Sequence, residues 1–276
     1  MNIIEKLSPN CDSRDGQAID MLVLHYTGMK SMQEALSRLC DPAAEVSAHY
    51  MVDEDGTVYR LVPEEMRAWH AGKAPLTTWR GYTNVNQRSI GIEIVNPGHE
   101  FGYRPFPKVQ MESVAQLCKE ILARHKIPAR NVVAHSDIAP SRKEDPGEKF
   151  PWKDLAEKGI GLWPREQFAT QALLNIFLDF FGFFASLISG HLVMAPGITN
   201  EKNIPLYDVA TSALPTLGQI QAQLAEYGYN CPQTGILDEE TGKVILAFQR
   251  HFYPKRLTGT WDRECAMQLA SLLKLI

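Results

Sequence analysis

The chain has 276 residues, 45% of them hydrophobic and 22% charged, a balance that excludes a disordered, collagen-like or disulfide-scaffold protein. Its 28 Lys and Arg against 32 Asp and Glu leave a formal charge of -4, so nothing argues for nucleic acid as a partner. The length suits two domains of unequal size better than one core.

The first residues, MNIIEKLSPNCDSRDGQ, lack the basic start, apolar stretch and small-residue cleavage site of an export signal, which predicts a cytoplasmic location. Residues 21–26, 49–62, 89–95 and 131–136 are β-rich, apolar and bounded by turn residues, and so read as strands. Asp55-Gly56 inside the second run predicts a hairpin turn. Between these runs, 31–39 and 109–126 read as helices, the latter with Val114, Leu117, Ile121 and Leu122 in an apolar stripe. Strands interleaved with helices argue for an α/β domain over residues 1–165.

Residues 166–205 read as a hydrophobic insert or linker. Leu173–Met194 has no Lys or Arg and is long enough to span a bilayer. Asp179 near its middle and the sparse cationic flanks favour a packed or interfacial helix pair over membrane association. Residues 206–276 read as a small three-helix domain. Leu217, Ile220 and Leu224 share a face, Tyr227-Gly228-Tyr229 breaks the pattern, and Asp238 and Asp262 are good N-caps for the two helices that follow. Five scattered cysteines, none in a C-x-x-C pair, read as small hydrophobes rather than as a disulfide framework or thiolate metal site.

Four polar residues sit at strand ends or in the loops after them. His25 and His135 close two of the β runs, Asp145 lies in a Pro- and Gly-rich loop, and Glu93 interrupts a strand in which Ile90, Ile92 and Ile94 alternate. A carboxylate among such neighbours is costly unless it meets a cation, a metal or water. Two imidazoles and one carboxylate are the donor set of a catalytic zinc site, which keeps a fourth position for water or substrate. Glu93 would then relay the proton of the attacking water, and Lys143 would face the developing oxyanion. Spacing alone leaves the bland readings open: a His at a strand end is ordinarily structural, Asp145 before Pro146 suits a turn, and Lys143 suits a solvated surface.

Together, LVLHYT, SAHYMVDEDGTVYRLV, AWHAG, SIGIEIVN and VVAHSDIAPSRKEDPGEKFPW resemble the zinc-dependent N-acetylmuramoyl-L-alanine amidases, relatives of the bacteriophage-type amidases and of animal peptidoglycan-recognition proteins. The resemblance covers nearly all of the α/β region. It implies a central mixed β-sheet flanked by helices, one zinc ion on His25, His135 and Asp145, and Glu93 with Lys143 as the catalytic pair. Tyr26 and Trp69 are expected to line the substrate cleft. His49 and His70 read as structural or wall-lining, and His125, His191 and His251 as incidental.

The tail, GYNCPQTGILDEETGKVILAFQRHF, resembles the three-helix peptidoglycan-binding module, which implies an anchor that raises local substrate concentration. Such an anchor is dispensable for soluble muropeptides. One position departs from the cytoplasmic recycling branch, where an arginine shortly precedes the SAH string. Here Glu45 stands at that offset, as in the two-domain envelope amidases, which normally carry an export signal. The reaction implied is hydrolysis of the amide between N-acetylmuramic acid and L-alanine in peptidoglycan or muropeptides. The rival readings are a non-catalytic peptidoglycan-binding protein and a stem-peptide endopeptidase.

Overall fold

Six strands pair in the order β1-β5-β4-β7-β3-β8: β1 (Ile3–Glu5), β3 (Met21–Tyr26), β4 (Tyr50–Val52), β5 (Val58–Arg60), β7 (Ser89–Ile94) and β8 (Val132–Ala134). The structure is a computed structural model and describes residues 3–73, 76–165 and 215–276. Every pairing in this sheet is parallel except β4 with β5, so the sheet is mixed, as expected. A separate two-stranded ribbon joins β2 (Cys11–Ser13) to β6 (Met66–Ala68).

The predicted hairpin is β4–β5. The Asp53 and Gly56 amides close it on Thr57 and Asp53 carbonyls, and Gly56 takes a positive φ of 87° that its missing Cβ permits. A Cβ there would also lie 2.8 Å from Ser113 Oγ.

The central strands β3, β7 and β8 are apolar on both faces, as buried parallel strands must be. On one face, Leu22, Leu24, Ile90, Ile92 and Ile94 pack against Val114, Leu117, Cys118 and Ile121 of helix α4 (Lys108–Arg124). Each of these fully buried aliphatic side chains contributes roughly 1.5–3 kcal/mol. On the other face, Met21, Val23 and Val133 turn away from α4. Short helices complete the α/β region: α1 (Met32–Cys40, capped by Ser31), α2 (Val85–Arg88), α3 (Gly98–Phe101), α5 (His135–Ile138) and α6 (Trp152–Glu157).

The expected C-terminal helices are α7 (Leu217–Tyr227), α8 (Glu239–Phe252) and α9 (Arg263–Leu273). Thr216, Asp238 and Asp262 cap them through side-chain oxygens that accept the Gln219, Thr241 and Cys265 amides. Their apolar faces do not close only on one another. Ile220, Leu224, Tyr227, Tyr229 and Phe248 join one continuous core with Met21, Val23, Trp79, Val133 and Ile138. Met1–Pro164 and Thr216–Ile276 accordingly form a single compact unit.

No helix among the described residues is long and apolar enough to cross a membrane, and Leu173–Met194 lies outside those residues. All five cysteines are free, three of them buried.

Candidate metal centre and active site

Three parallel strands deliver the site. In parallel sheets, ligands gather beyond the carboxyl ends of the strands, and β3, β7 and β8 all end on the same edge. His25 is the penultimate residue of β3, paired in register with Glu93 of β7. His135 follows β8 directly. It opens the one-turn helix α5 rather than closing a strand, because the Asp137 carboxylate accepts the Ala134 amide and bends the chain there.

Asp145 is ten residues further on, yet it returns to His135. The Arg142 and Lys143 amides donate to the Ala139 carbonyl, and the Ser136 amide donates to the Asp145 carbonyl, closing the loop. Local backbone hydrogen bonds therefore bring both candidate donors of this segment together.

His25 Nδ1, His135 Nδ1 and Asp145 Oδ2 converge. The separations are 3.0 Å between the two nitrogens, and 3.0 Å and 3.1 Å from each nitrogen to the carboxylate. All three residues are buried, and together they form a group able to hold a metal ion. The spacing suits one centre: ligands at about 2.0–2.1 Å from a tetrahedral ion lie about 3.3 Å apart.

The hydrogen-bond chain behind His25 assigns its tautomer. Ser89 Oγ donates to the Val85 carbonyl, so it accepts from His70 Nε2; His70 Nδ1 then accepts from His25 Nε2 at 3.1 Å. That leaves the lone pair of His25 on Nδ1, facing the other two donors. The donor set and its support fit a zinc ion.

Charges in the site follow burial and proximity. Burial would raise the Asp145 carboxyl, but His135 and His25 outweigh it and hold the group well below the usual carboxylate range. Burial pushes His135 down to about 4 despite Asp145, favouring the neutral ring that a metal requires. Glu93 is raised to about 7: burial dominates, Asp145 adds to it, and His25 and Lys143 oppose it. Its Oε2 is buried with no hydrogen-bond partner among the described residues. A cation on the three donors would add a further pull toward the ionised form.

Glu93, Lys143, Tyr26, Trp69 and His70 all line one cleft of about 450 Å³ with His135 and Asp145. The arrangement can polarise a bound carbonyl and move a proton beside it. Tyr26 and Trp69, expected beside the substrate, both line this cleft. His70 is more than wall: it is the hydrogen-bond partner of His25. Its ring fits because Gly91 lacks a side chain; a Cβ there would lie 2.3 Å from His70 Cγ.

His49 is fully buried, accepts the Gly91 amide at Nδ1, and is driven to about 3 by burial and by Arg14. His125 bonds Glu64 away from the cleft. His251, read as incidental, is buried and hydrogen-bonded to Asp137. Its position in an apolar helix stripe gave no sign of this, because its partner lies 114 residues away. Arg14 also escaped the sequence reading; it is buried and bonds the Glu64, Gln87 and Ser89 carbonyls.

A family model described as N-acetylmuramoyl-L-alanine amidase matches residues 15–148, and a peptidoglycan binding domain model matches residues 215–269. The chain is 36% identical to the N-acetylmuramoyl-L-alanine amidase AmiD of Escherichia coli, over 99% of this chain and 90% of that protein. It is 35% identical to the 1,6-anhydro-N-acetylmuramyl-L-alanine amidase AmpD of the same organism, over 52% of this chain and 85% of that one. Among solved structures, AmiD bound to anhydro-N-acetylmuramic acid-L-Ala-D-γ-Glu-L-Lys superposes with a TM-score of 0.68 at 33% identity, covering 98% of this chain and 93% of that one. AmpDh3 of Pseudomonas aeruginosa with an anhydromuramic pentapeptide gives 0.70 at 31% identity, covering 98% and 95%.

Proposed function

The chain belongs to the N-acetylmuramoyl-L-alanine amidase family, and from that premise we propose that His25, His135 and Asp145 hold its zinc ion while Glu93 and Lys143 serve the hydrolysis. The observation that carries this reading is the convergence of three buried donors beside a buried carboxylate oxygen that has no partner among the described residues. When bound, zinc supplies a Lewis acid for the scissile carbonyl and acidifies water.

The chain's own groups do the rest. Glu93 takes the proton of the attacking water and passes it to the departing L-alanine nitrogen, a task suited to a carboxyl poised near neutrality. The Lys143 ammonium stabilises negative charge on the carbonyl oxygen. His70 and Ser89 hold the His25 ring in its ligating tautomer. Tyr26 and Trp69 offer aromatic walls to the sugar or peptide.

The substrate class is a muropeptide with N-acetylmuramic or 1,6-anhydro-N-acetylmuramic acid amide-linked to L-alanine. This is supported by the ligands of the two superposed structures. The C-terminal module, matched as peptidoglycan-binding, would hold the polymer or its fragments.

The test is mass spectrometry of the products from an anhydromuramyl tripeptide. A free peptide beginning with L-alanine is expected, together with one zinc per chain. Release of intact muramoyl-L-alanine would make the chain an endopeptidase, and no release at all with zinc bound would make it a binding protein.

A further inference from the structure

The C-terminal helices reach the metal-binding loop at two points. Arg250, near the end of α8, pairs with Glu144 at 2.6 Å, and Glu144 is the residue between Lys143 and Asp145. The next residue, His251, donates from Nδ1 to Asp137 Oδ2 at 2.6 Å, with its ring stacked between Trp152 and Phe252. Tyr229, in the turn after α7, donates its hydroxyl to the other oxygen of Asp137 at 2.7 Å. Asp137 is fully buried, lies two residues after His135, and makes the bond to Ala134 that bends the chain into α5.

Among the described residues, two of the three donors to this buried carboxylate therefore come from the C-terminal module. A buried carboxylate stripped of donors must move toward others or toward water. Any movement of Asp137 is a movement of the turn that aims His135. Arg250 acts likewise on the loop that aims Asp145. Ligand geometry tolerates little displacement, and partners behind the ligands commonly govern metal affinity.

We propose that Tyr229, Arg250 and His251 are positioning residues for the metal centre, so that the peptidoglycan-binding module is also the strut that holds His135 and Asp145 in ligating geometry. This rests on the reading of His25, His135 and Asp145 as the zinc site.

The experiment uses the full chain. Zinc affinity is measured by competition with a chelator, and kcat and KM on a soluble anhydromuramyl tripeptide, for wild type, His251→Ala, His251→Asn, Tyr229→Phe and Arg250→Gln. His251→Ala should weaken zinc binding by roughly 10–100-fold and lower kcat with KM nearly unchanged. His251→Asn, whose amide can donate in place of Nδ1–H, should recover most of both. Wild-type zinc affinity and kcat in a folded His251→Ala would overturn the proposal. If that variant does not fold, Tyr229→Phe and Arg250→Gln decide by the same readouts, wild-type values in both overturning it. A wild-type chain that takes up no zinc would overturn the metal-site reading as well, which separates the two failures.

Discussion

Glu93 is a residue whose cost to the fold the proposed relay would explain. Its neighbours Ile92 and Ile94 are fully buried on the opposite face, and its own buried oxygen has no partner among the described residues. In the proposed relay, Glu93→Gln keeps the shape and removes the carboxylate that accepts the proton. Zinc uptake should stay at the wild-type level while kcat falls about 10²–10⁴-fold; a near-normal kcat would remove Glu93 from the reaction. Glu64 is the opposite case, a carboxylate that serves stability. Burial alone would raise it, but Arg124, His125 and Tyr50 bond it and bring it down to about 2. A depressed folded-state pKa adds stability that is complete above the unfolded value, near 4.5, and is lost as pH falls toward 2. Glu64→Gln should therefore cost on the order of 1–3 kcal/mol at pH 7. The gap in urea-unfolding free energy between variant and wild type should close between about pH 4.5 and 2; a gap independent of pH would contradict this. His25, Glu93, His135, Lys143 and Asp145 could be picked out of the sequence as candidates because metal and proton chemistry restricts such positions to a few residue types. His70 and Arg14 were not, since their roles depend on partners such as Ser89 and His25, remote in the chain.

The elements read most securely from sequence were those with strong patterns: β3 and β7, the β4–β5 hairpin with its Asp-Gly turn, and α4, α8 and α9 with their caps or stripes. The strands β1, β2 and β6 were missed. Each is three residues long, too short to show alternation, and exists only through its pairing partner. The direction of pairing was also invisible, although parallel β3, β7 and β8 are what bring the ends carrying His25, Glu93 and His135 to one edge. Within β7, Gly91 makes room for His70 against the sheet. Gly91→Ala should push that ring aside, costing about 1–3 kcal/mol of stability and weakening zinc binding through His25. Thermal unfolding and chelator competition measure the two; an unshifted melting temperature with unchanged zinc affinity would show that the pocket accommodates the methyl.

At the level of the whole chain, the C-terminal helices complete the catalytic core as well as resembling a peptidoglycan-binding module. Met21, Val23, Val133 and Ile138 share one buried cluster with Ile220, Leu224, Tyr227 and Phe248. A chain ending before Thr216 should melt at lower temperature, bind a hydrophobic dye such as ANS, and lose turnover even on soluble muropeptides. An independent anchor would instead leave the melting temperature and soluble turnover untouched. The motifs alone suggest the second result, a module dispensable for soluble muropeptides, so the truncation decides between the two. Residue types and short-range spacing set the helix caps and the α/β pattern, because each depends on neighbours within a few positions, while His25, Glu93, His135 and Asp145 stood out only as candidates until the resemblance to the amidases joined them. Convergence of the donors to within about 3 Å, the tautomer of His25, and the bonds from α8 to Asp137 and Glu144 came only with folding. They join residues as many as 120 positions apart, and no local pattern encodes which distant side chain will fill a given pocket.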